Sequence, residues 1–202
     1  MNELPRQLVH LSGLAFIAFA QLVDKATASI IFFLVAFFFF LYGEHVLICE
    51  KHERNLLARL ECRLRAFALS LERSESRRPF AGAFWFYIGL GLAFLLFPLP
   101  AATAAGATLA VSDSLSTAVG SRLGRHSLLG KKTLEGTAAF LISAFFVCLI
   151  FVGPLPALTG AAAATLAELL PGTAWASRNL RNLLDDNLLI PVAGGLVISL
   201  LI

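Results

Sequence analysis

The chain is poor in charge. Of its 202 residues only 14% are Asp, Glu, Lys or Arg, against about a quarter in an ordinary soluble domain. A soluble protein this short could not hide the 58% of residues that are hydrophobic, 18 of them Phe. The net charge of +3 is small, and the basic residues are spread through loops with no aromatic platform beside them, which speaks against nucleic acid as a partner. Cysteine is scarce: Cys49, Cys62 and Cys148 form no C-x-x-C pair, so they read as packing residues and not as a disulfide or metal framework. The phosphate-binding spacing G-x-x-x-x-G-K-[ST] is absent. The first apolar stretch lacks the basic n-region and small-residue cleavage site of a secretory signal and reads as a first membrane span.

What is present is length of apolar run. Mean hydropathy is +0.80, and stretches such as Ile30 to Tyr42 are continuously apolar. They do not alternate as barrel strands do. Lipid admits only helices or closed barrels, because every backbone polar group must be satisfied internally. The expectation is an all-α fold: one domain over 1–202, a polytopic membrane bundle of about seven helices. Spans of roughly 20 residues fall near 7–23, 26–48, 80–98, 99–119, 136–153, 154–171 and 188–202.

Charge orients these spans. With the N-terminus on the cytoplasmic side, the inner segments are 1–6, 49–79, 120–135 and 172–187, and they hold fifteen of the sixteen Lys and Arg. Only Lys25 falls outside, as the retention of basic residues on the cytoplasmic face requires. The C-terminus is then on the opposite side. Over 50–73, Leu56, Leu57, Leu60, Leu64, Phe67, Ala68 and Leu71 recur at helical spacing against a face of Arg and Glu. This predicts an amphipathic helix lying on the inner leaflet. Spans four and six are rich in small residues, Ala101 to Ala107 and Gly160 to Ala164, which let helices approach closely in lipid; both are expected near the centre.

Those two spans also carry acids, and an ionisable residue within a span is a functional candidate by default. Asp113 lies near the inner end of span four between Ser112 and Ser114; Glu168 lies near the inner end of span six; Asp185, Asp186 and Asn187 stand where span seven begins. Glu3 and His10 flank the inner end of span one. Carboxylates of this kind suit a hard cation, since Mg²⁺ takes one or two carboxylates plus phosphate oxygens. Asp113 with Asp185 or Asp186 can supply such a metal site. Other readings stand beside it: Asp185 and Asp186 as caps of span seven, Glu168 as the partner of an Arg, His10 as a satisfied polar residue. Between spans four and five, Ser121 to Gly136 packs four basic residues, Arg122, Arg125, Lys131 and Lys132, among three glycines. Glycines let backbone approach a phosphate and basic groups neutralise it; the segment 120–135 reads either as a cytoplasmic phosphate-binding loop or as an inner loop obeying the orientation rule.

Taken together the motifs resemble the polyprenol and phytol kinase family, which includes dolichol kinase and a CTP-dependent diacylglycerol kinase. The elements occur in the family's order: Glu3-x-x-Arg6-x-x-x-His10-x-x-Gly13; Glu75-Ser-Arg-Arg-x-x-x-Gly82; Asp113-Ser-Leu-Ser-Thr-Ala-Val-Gly120 followed by Arg122-x-Gly124-Arg125; Gly130-Lys-Lys-Thr-Leu-Glu-Gly136; and Glu168 with Asp185-Asp-Asn-Leu-Leu-Ile-Pro191. The resemblance covers nearly the whole chain. Its departures are Ser112, where the family has Gly, and Ser116, where Ala is common. It implies a kinase that moves the γ-phosphate of CTP to the hydroxyl of a membrane lipid alcohol such as dolichol, a polyprenol, phytol or geranylgeraniol, leaving the lipid monophosphate and CDP. It also implies roles. Asp113, Asp185 and Asp186 hold Mg²⁺, or one of them acts as base. Lys131 and Lys132, with Thr133 and helped by Arg122 and Arg125, bind the triphosphate. Glu135 and Asn187 orient ligands, and Glu168 and His10 stand in a second tier. The nearest rival is a lipid cytidylyltransferase, whose usual Lys-Asp and Asp-Arg-x-Asp elements are missing here. A rival from another class is a small transporter, for which no inverted repeat is visible.

Overall fold

The computed structural model describes residues 3–48, 61–62, 65–66, 79–130, 132–172 and 185–202. Seven α-helices are found there: α1 Glu3–Ala20, α2 Lys25–Ile48, α3 Ala81–Leu96, α4 Leu99–Leu123, α5 Leu134–Leu149, α6 Pro154–Leu169 and α7 Asp186–Ser199. A two-stranded hairpin, β1 Ser127–Leu129 and β2 Lys132–Thr133, separates α4 from α5. Among the described residues the fold is all-α apart from this hairpin, and each of the seven apolar segments read from the sequence contains a helix.

The helix ends follow from local chemistry. Asp24 caps α2, its carboxylate accepting from Thr27 N at 2.9 Å while its carbonyl accepts from Ala28 N at 3.0 Å. Pro98 and Pro154 each disfavour helix in the residue before them; Phe97 and Gly153 are accordingly extended, which separates α3 from α4 and α5 from α6. The three helices α3, α5 and α6 have 16 residues each, a rise of about 24 Å at 1.5 Å per residue. They are shorter than the spans expected at 80–98, 136–153 and 154–171. Among the described helices, Lys25–Val46 is long and apolar enough to cross a membrane, and Ala81–Leu96, Leu134–Leu149 and Asp186–Ser199 are shorter apolar helices.

Helix α4 is the centre of the bundle. Every residue from Ala101 to Ala110 is buried, and α1, α3, α5 and α7 all pack on it. Its Ala, Gly and Thr side chains allow that many neighbours. Helix α6 is less central than its composition suggests: it packs mainly on α5 and α7, and Leu155, Leu158 and Leu166 face outward. Around the core, Phe32 meets Phe94 edge-on at 5.3 Å and Phe16 meets Tyr87 at 5.2 Å, joining α1 and α2 to α3.

The distribution of polarity is inverted relative to a water-soluble protein. Ile30, Leu34, Phe37, Phe38, Leu95, Leu96, Ile142, Phe146 and Leu196 are exposed, whereas Asp113, Glu168, Asp186 and Asn187 are buried. Lys25, the basic residue that stands apart in the charge pattern, donates to the carbonyl of Phe97 at 3.0 Å, so it sits at the end of the bundle where α3 finishes. The amphipathic helix expected over 50–73 lies outside the described residues except for four positions. Glu61, Cys62, Arg65 and Ala66 are helical; Glu61 pairs with Arg65 at 2.5 Å and accepts from the Tyr42 hydroxyl at 2.8 Å, which ties this segment to α2.

Candidate active site

The site is built on the hairpin that follows α4. Gly130, with φ of 58°, makes its turn, and the pairing of Leu129 with Lys132 and of Ser127 with Thr133 sets its register. Thr133 is the N-cap of α5, its hydroxyl accepting from Gly136 N at 3.2 Å. Lys132 therefore leaves the chain one residue before the N-cap of α5. The neighbouring glycines serve close packing. A Cβ on Gly136 would stand 3.0 Å from Ser116 O and 3.2 Å from Gly120 Cα, and one on Gly124 would stand 2.7 Å from Thr133 Cγ2. The end of α4 meets the start of α5 backbone to backbone at Gly136, and Gly124 lies against the Thr133 side chain.

Lys132 reaches inward from this hairpin to acids on the helices. Its ammonium donates to Glu168 Oε1 at 2.5 Å and lies 3.7 Å from Asp186 Oδ2. Burial alone would lower the pKa of Lys132; the nearby charges of Asp186, Asp113 and Glu168 more than offset it, so the lysine is held above its ordinary value. Glu168, near the end of α6, has 0% of its side chain exposed. Ser116 on α4 donates to the same Oε1 at 3.2 Å. Three helices thus send buried carboxylates toward one lysine: α4 through Asp113, α6 through Glu168, α7 through Asp186.

Helix α7 is shaped to do this. Asp185 is its N-cap, the carboxylate accepting from Asn187 N at 3.0 Å, which leaves Asp186 and Asn187 in the first turn and buried. Pro191 has no N–H to offer the Asn187 carbonyl four residues back. That carbonyl lies against Gly89 of α3, where an added Cβ would stand 2.3 Å from it.

Other expected site residues lie apart from this centre. Glu135 turns to His126, whose Nδ1 is 2.7 Å from Oε1; this contact holds the Glu135 carboxyl down at about 2. Arg122, on the last turn of α4, and Arg125 are exposed. Lys131 and the side chain of His10 lie outside the described residues. Glu168, expected in a second tier, is at the centre. Ser116 stands out in the sequence only as a departure from the family's Ala and not as a site residue, although it stands three residues after Asp113 and so shares its helical face. Among the described residues, no group of three or more His, Cys, Asp and Glu is arranged to hold a metal ion.

No family model and no solved structure matches the chain. A relative among curated proteins does. The chain is similar to dolichol kinase of Saccharomyces cerevisiae. Identity is 36% over 92 residues, 41% of this chain and 16% of the yeast protein. The matched part is thus a small portion of that relative's length, and the likeness supports the polyprenol and dolichol kinase family without extending to the whole of either chain.

Proposed function

We propose that the chain is an integral membrane kinase that transfers the γ-phosphate of CTP to the hydroxyl of an isoprenoid lipid alcohol. The observation that carries this reading is the Lys132 ammonium, held among buried acids where α4, α6 and α7 converge. The partial likeness to dolichol kinase supports it independently. The membrane part rests on the apolar outer faces and buried carboxylates together with the 15-to-1 division of basic residues. On this reading the seven helices cross the bilayer, the hairpin end is cytoplasmic, and the 120–135 segment meets the nucleotide.

Phosphoryl transfer depends on positioning and charge neutralisation more than on covalent chemistry. The lipid oxygen attacks the γ-phosphorus, the bond from that phosphorus to the bridging β–γ oxygen breaks, and the hydroxyl proton passes to a carboxylate. On this reading Asp113 takes it where it does not hold a cation; the two roles exclude each other. Lys132 and Lys131 neutralise the triphosphate on this reading, and Arg122 and Arg125, both exposed, add charge. The donor set fits a divalent cation, because Asp113 and Asp186 are buried carboxylates already gathered round a positive group. Such an ion, when bound, neutralises charge developing on the β- and γ-phosphates, and Asp113 and Asp186 would hold it. Asp185, as a helix cap, has its carboxylate engaged with backbone.

The deciding experiment incubates the purified protein with lipid alcohols and CTP labelled either at the γ-phosphate or in the cytidine. Label from the γ-phosphate in the lipid product is expected. Cytidine in the lipid would instead mean attack at the α-phosphate and a cytidylyltransferase. Asp113→Asn should abolish transfer while leaving the protein folded.

A further inference from the structure

Lys132 is anchored directly on one side only. Downstream, Thr133 caps α5 and the helix follows at once. Upstream, Gly130 turns the chain back into β1, and β1 leads to the end of α4. The strands that join these two arms are three and two residues long, and their register shifts between Ser127 and Leu129. A lone two-stranded hairpin is marginally stable at best in water. The ladder is therefore a weak support for a side chain that must reach a buried carboxylate.

One residue closes the open end of this hairpin. The His126 carbonyl accepts from Leu134 N at 2.9 Å. The His126 N–H donates to the Glu135 carboxylate, 3.3 Å and 3.4 Å from its two oxygens, and the ring Nδ1 lies 2.7 Å from Oε1. With its carboxyl held down at about 2, Glu135 is an ionised acceptor, so Nδ1 carries the proton. A carboxylate in the first turn also suits the positive end of the α5 dipole. Among the described residues, no other side-chain hydrogen bond joins the 124–130 arm to α5; Gly124 meets Thr133 by packing alone.

We infer that His126 is a positioning residue: clamped to Glu135, it closes the hairpin and keeps the Lys132 ammonium on Glu168 and beside Asp186. Without the clamp, β1 and the Gly130 turn lose their side-chain tie to α5, and Lys132 is steered by one arm of the hairpin alone. The inference deepens the kinase reading and rests on it only for the effect on transfer, because the placement of Lys132 is a property of the protein without nucleotide. It also gives Glu135 a task different from the one its motif implies. Its carboxylate acts on the hairpin and not on a ligand.

The test compares His126→Ala with His126→Asn, whose side-chain amide nitrogen takes the place of Nδ1 and keeps the donor. His126 is exposed, so neither substitution opens the core, and the thermal midpoints of both should match the unmodified protein. With no nucleotide present, the purified full chain is treated with an amine-reactive ester. Labelling of Lys132 is read from peptide fragment masses, with Lys25 at the opposite end of the bundle as the internal reference. The ratio of Lys132 to Lys25 labelling should rise several-fold in His126→Ala and return to the unmodified level in His126→Asn. An unchanged ratio in His126→Ala, or a rise that His126→Asn does not reverse, overturns the inference. In the labelled-CTP experiment, transfer should fall roughly tenfold or more in His126→Ala, on the scale of a small misplacement, and recover in His126→Asn. Equal loss in both variants equally overturns it. A protein that moves no phosphate from CTP sinks the kinase reading and leaves the labelling ratio to decide the clamp; an unmoved ratio in an active protein sinks the clamp alone.

Discussion

Lys132 Nζ and Glu168 Oε1 lie 2.5 Å apart across 36 residues of sequence, and the two ends of this pair are unequally dependent on each other. Glu168 is fully buried, whereas a quarter of the Lys132 side chain is exposed and Asp186 stands 3.7 Å away as a second partner. Removing the lysine strands a buried carboxylate; removing the glutamate leaves a lysine that still has acids. Breaking a buried pair from one side costs about 3–5 kcal/mol, and the exposure of Lys132 argues for the lower end. Lys132→Met is expected to cost about 3 kcal/mol by that rule and Glu168→Gln less than half as much. The double substitution should be more stable than Lys132→Met alone. Unfolding of the four proteins in one detergent by denaturant closes the cycle, and additive losses would show that the two side chains do not interact.

The same pair sets a pH dependence at the alkaline end. The folded pKa of Lys132 is raised above 10.5 by the surrounding carboxylates, against the opposing effect of burial. A raised lysine contributes stability that is fully present below the unfolded value and is lost as pH climbs through the folded one. The thermal midpoint of the unmodified protein should therefore fall above pH 10.5 more steeply than that of Lys132→Met. Parallel curves for the two proteins would count against the ion pair.

Two glycines of α3 should respond in opposite ways to the same substitution. A Cβ on Gly89 would stand 2.3 Å from the Asn187 carbonyl, a backbone atom, while a Cβ on Gly82 meets nothing within 4 Å. Gly89→Ala must push α7 away from α3 and carry Asp186 and Asn187 with it, so transfer activity should drop by an order of magnitude or more, about the scale of a 1 Å misplacement. Gly82→Ala should leave activity unchanged and raise stability by roughly 0.5–1 kcal/mol, the ordinary gain within a helix. Measuring both by initial rate and thermal midpoint separates packing at the site from general helix effects.

The helices were legible in the sequence because their signals are local. Continuous apolar runs broken by Phe97-Pro98 and Gly153-Pro154 mark where each begins and ends. The ion cluster was legible only as a set of separate charges. Nothing in the string Lys131-Lys132 distinguishes its two lysines; the register of Leu129 with Lys132 across a Gly130 turn does, and strand register in so short a hairpin has no sequence pattern to announce it. Glu135 sits inside the most specific motif yet turns to His126. The partner that decided this is nine residues upstream in a loop. Gly124 and Gly136 pointed to phosphate by composition, whereas their contacts at Ser116, Gly120 and Thr133 give them a packing reason that only the tertiary structure supplies.

The division of charge makes a prediction about sidedness. Leu22, in the turn between α1 and α2, is 82% exposed, and the nearby Lys25 is bound to the end of α3 through Phe97. Ser127 is exposed on the hairpin at the other end of α4. If the helices span the membrane with basic loops on the cytoplasmic side, these two positions face opposite compartments. In a chain whose Cys49, Cys62 and Cys148 are replaced by Ala, Ser127→Cys should react with a membrane-impermeant maleimide in sealed inside-out vesicles. Leu22→Cys should react only after detergent is added. Reaction of both from the same side before detergent would reject the seven-span topology. The Lys132 cluster would survive that result, because it rests on helix packing and not on which side of a bilayer the hairpin lies.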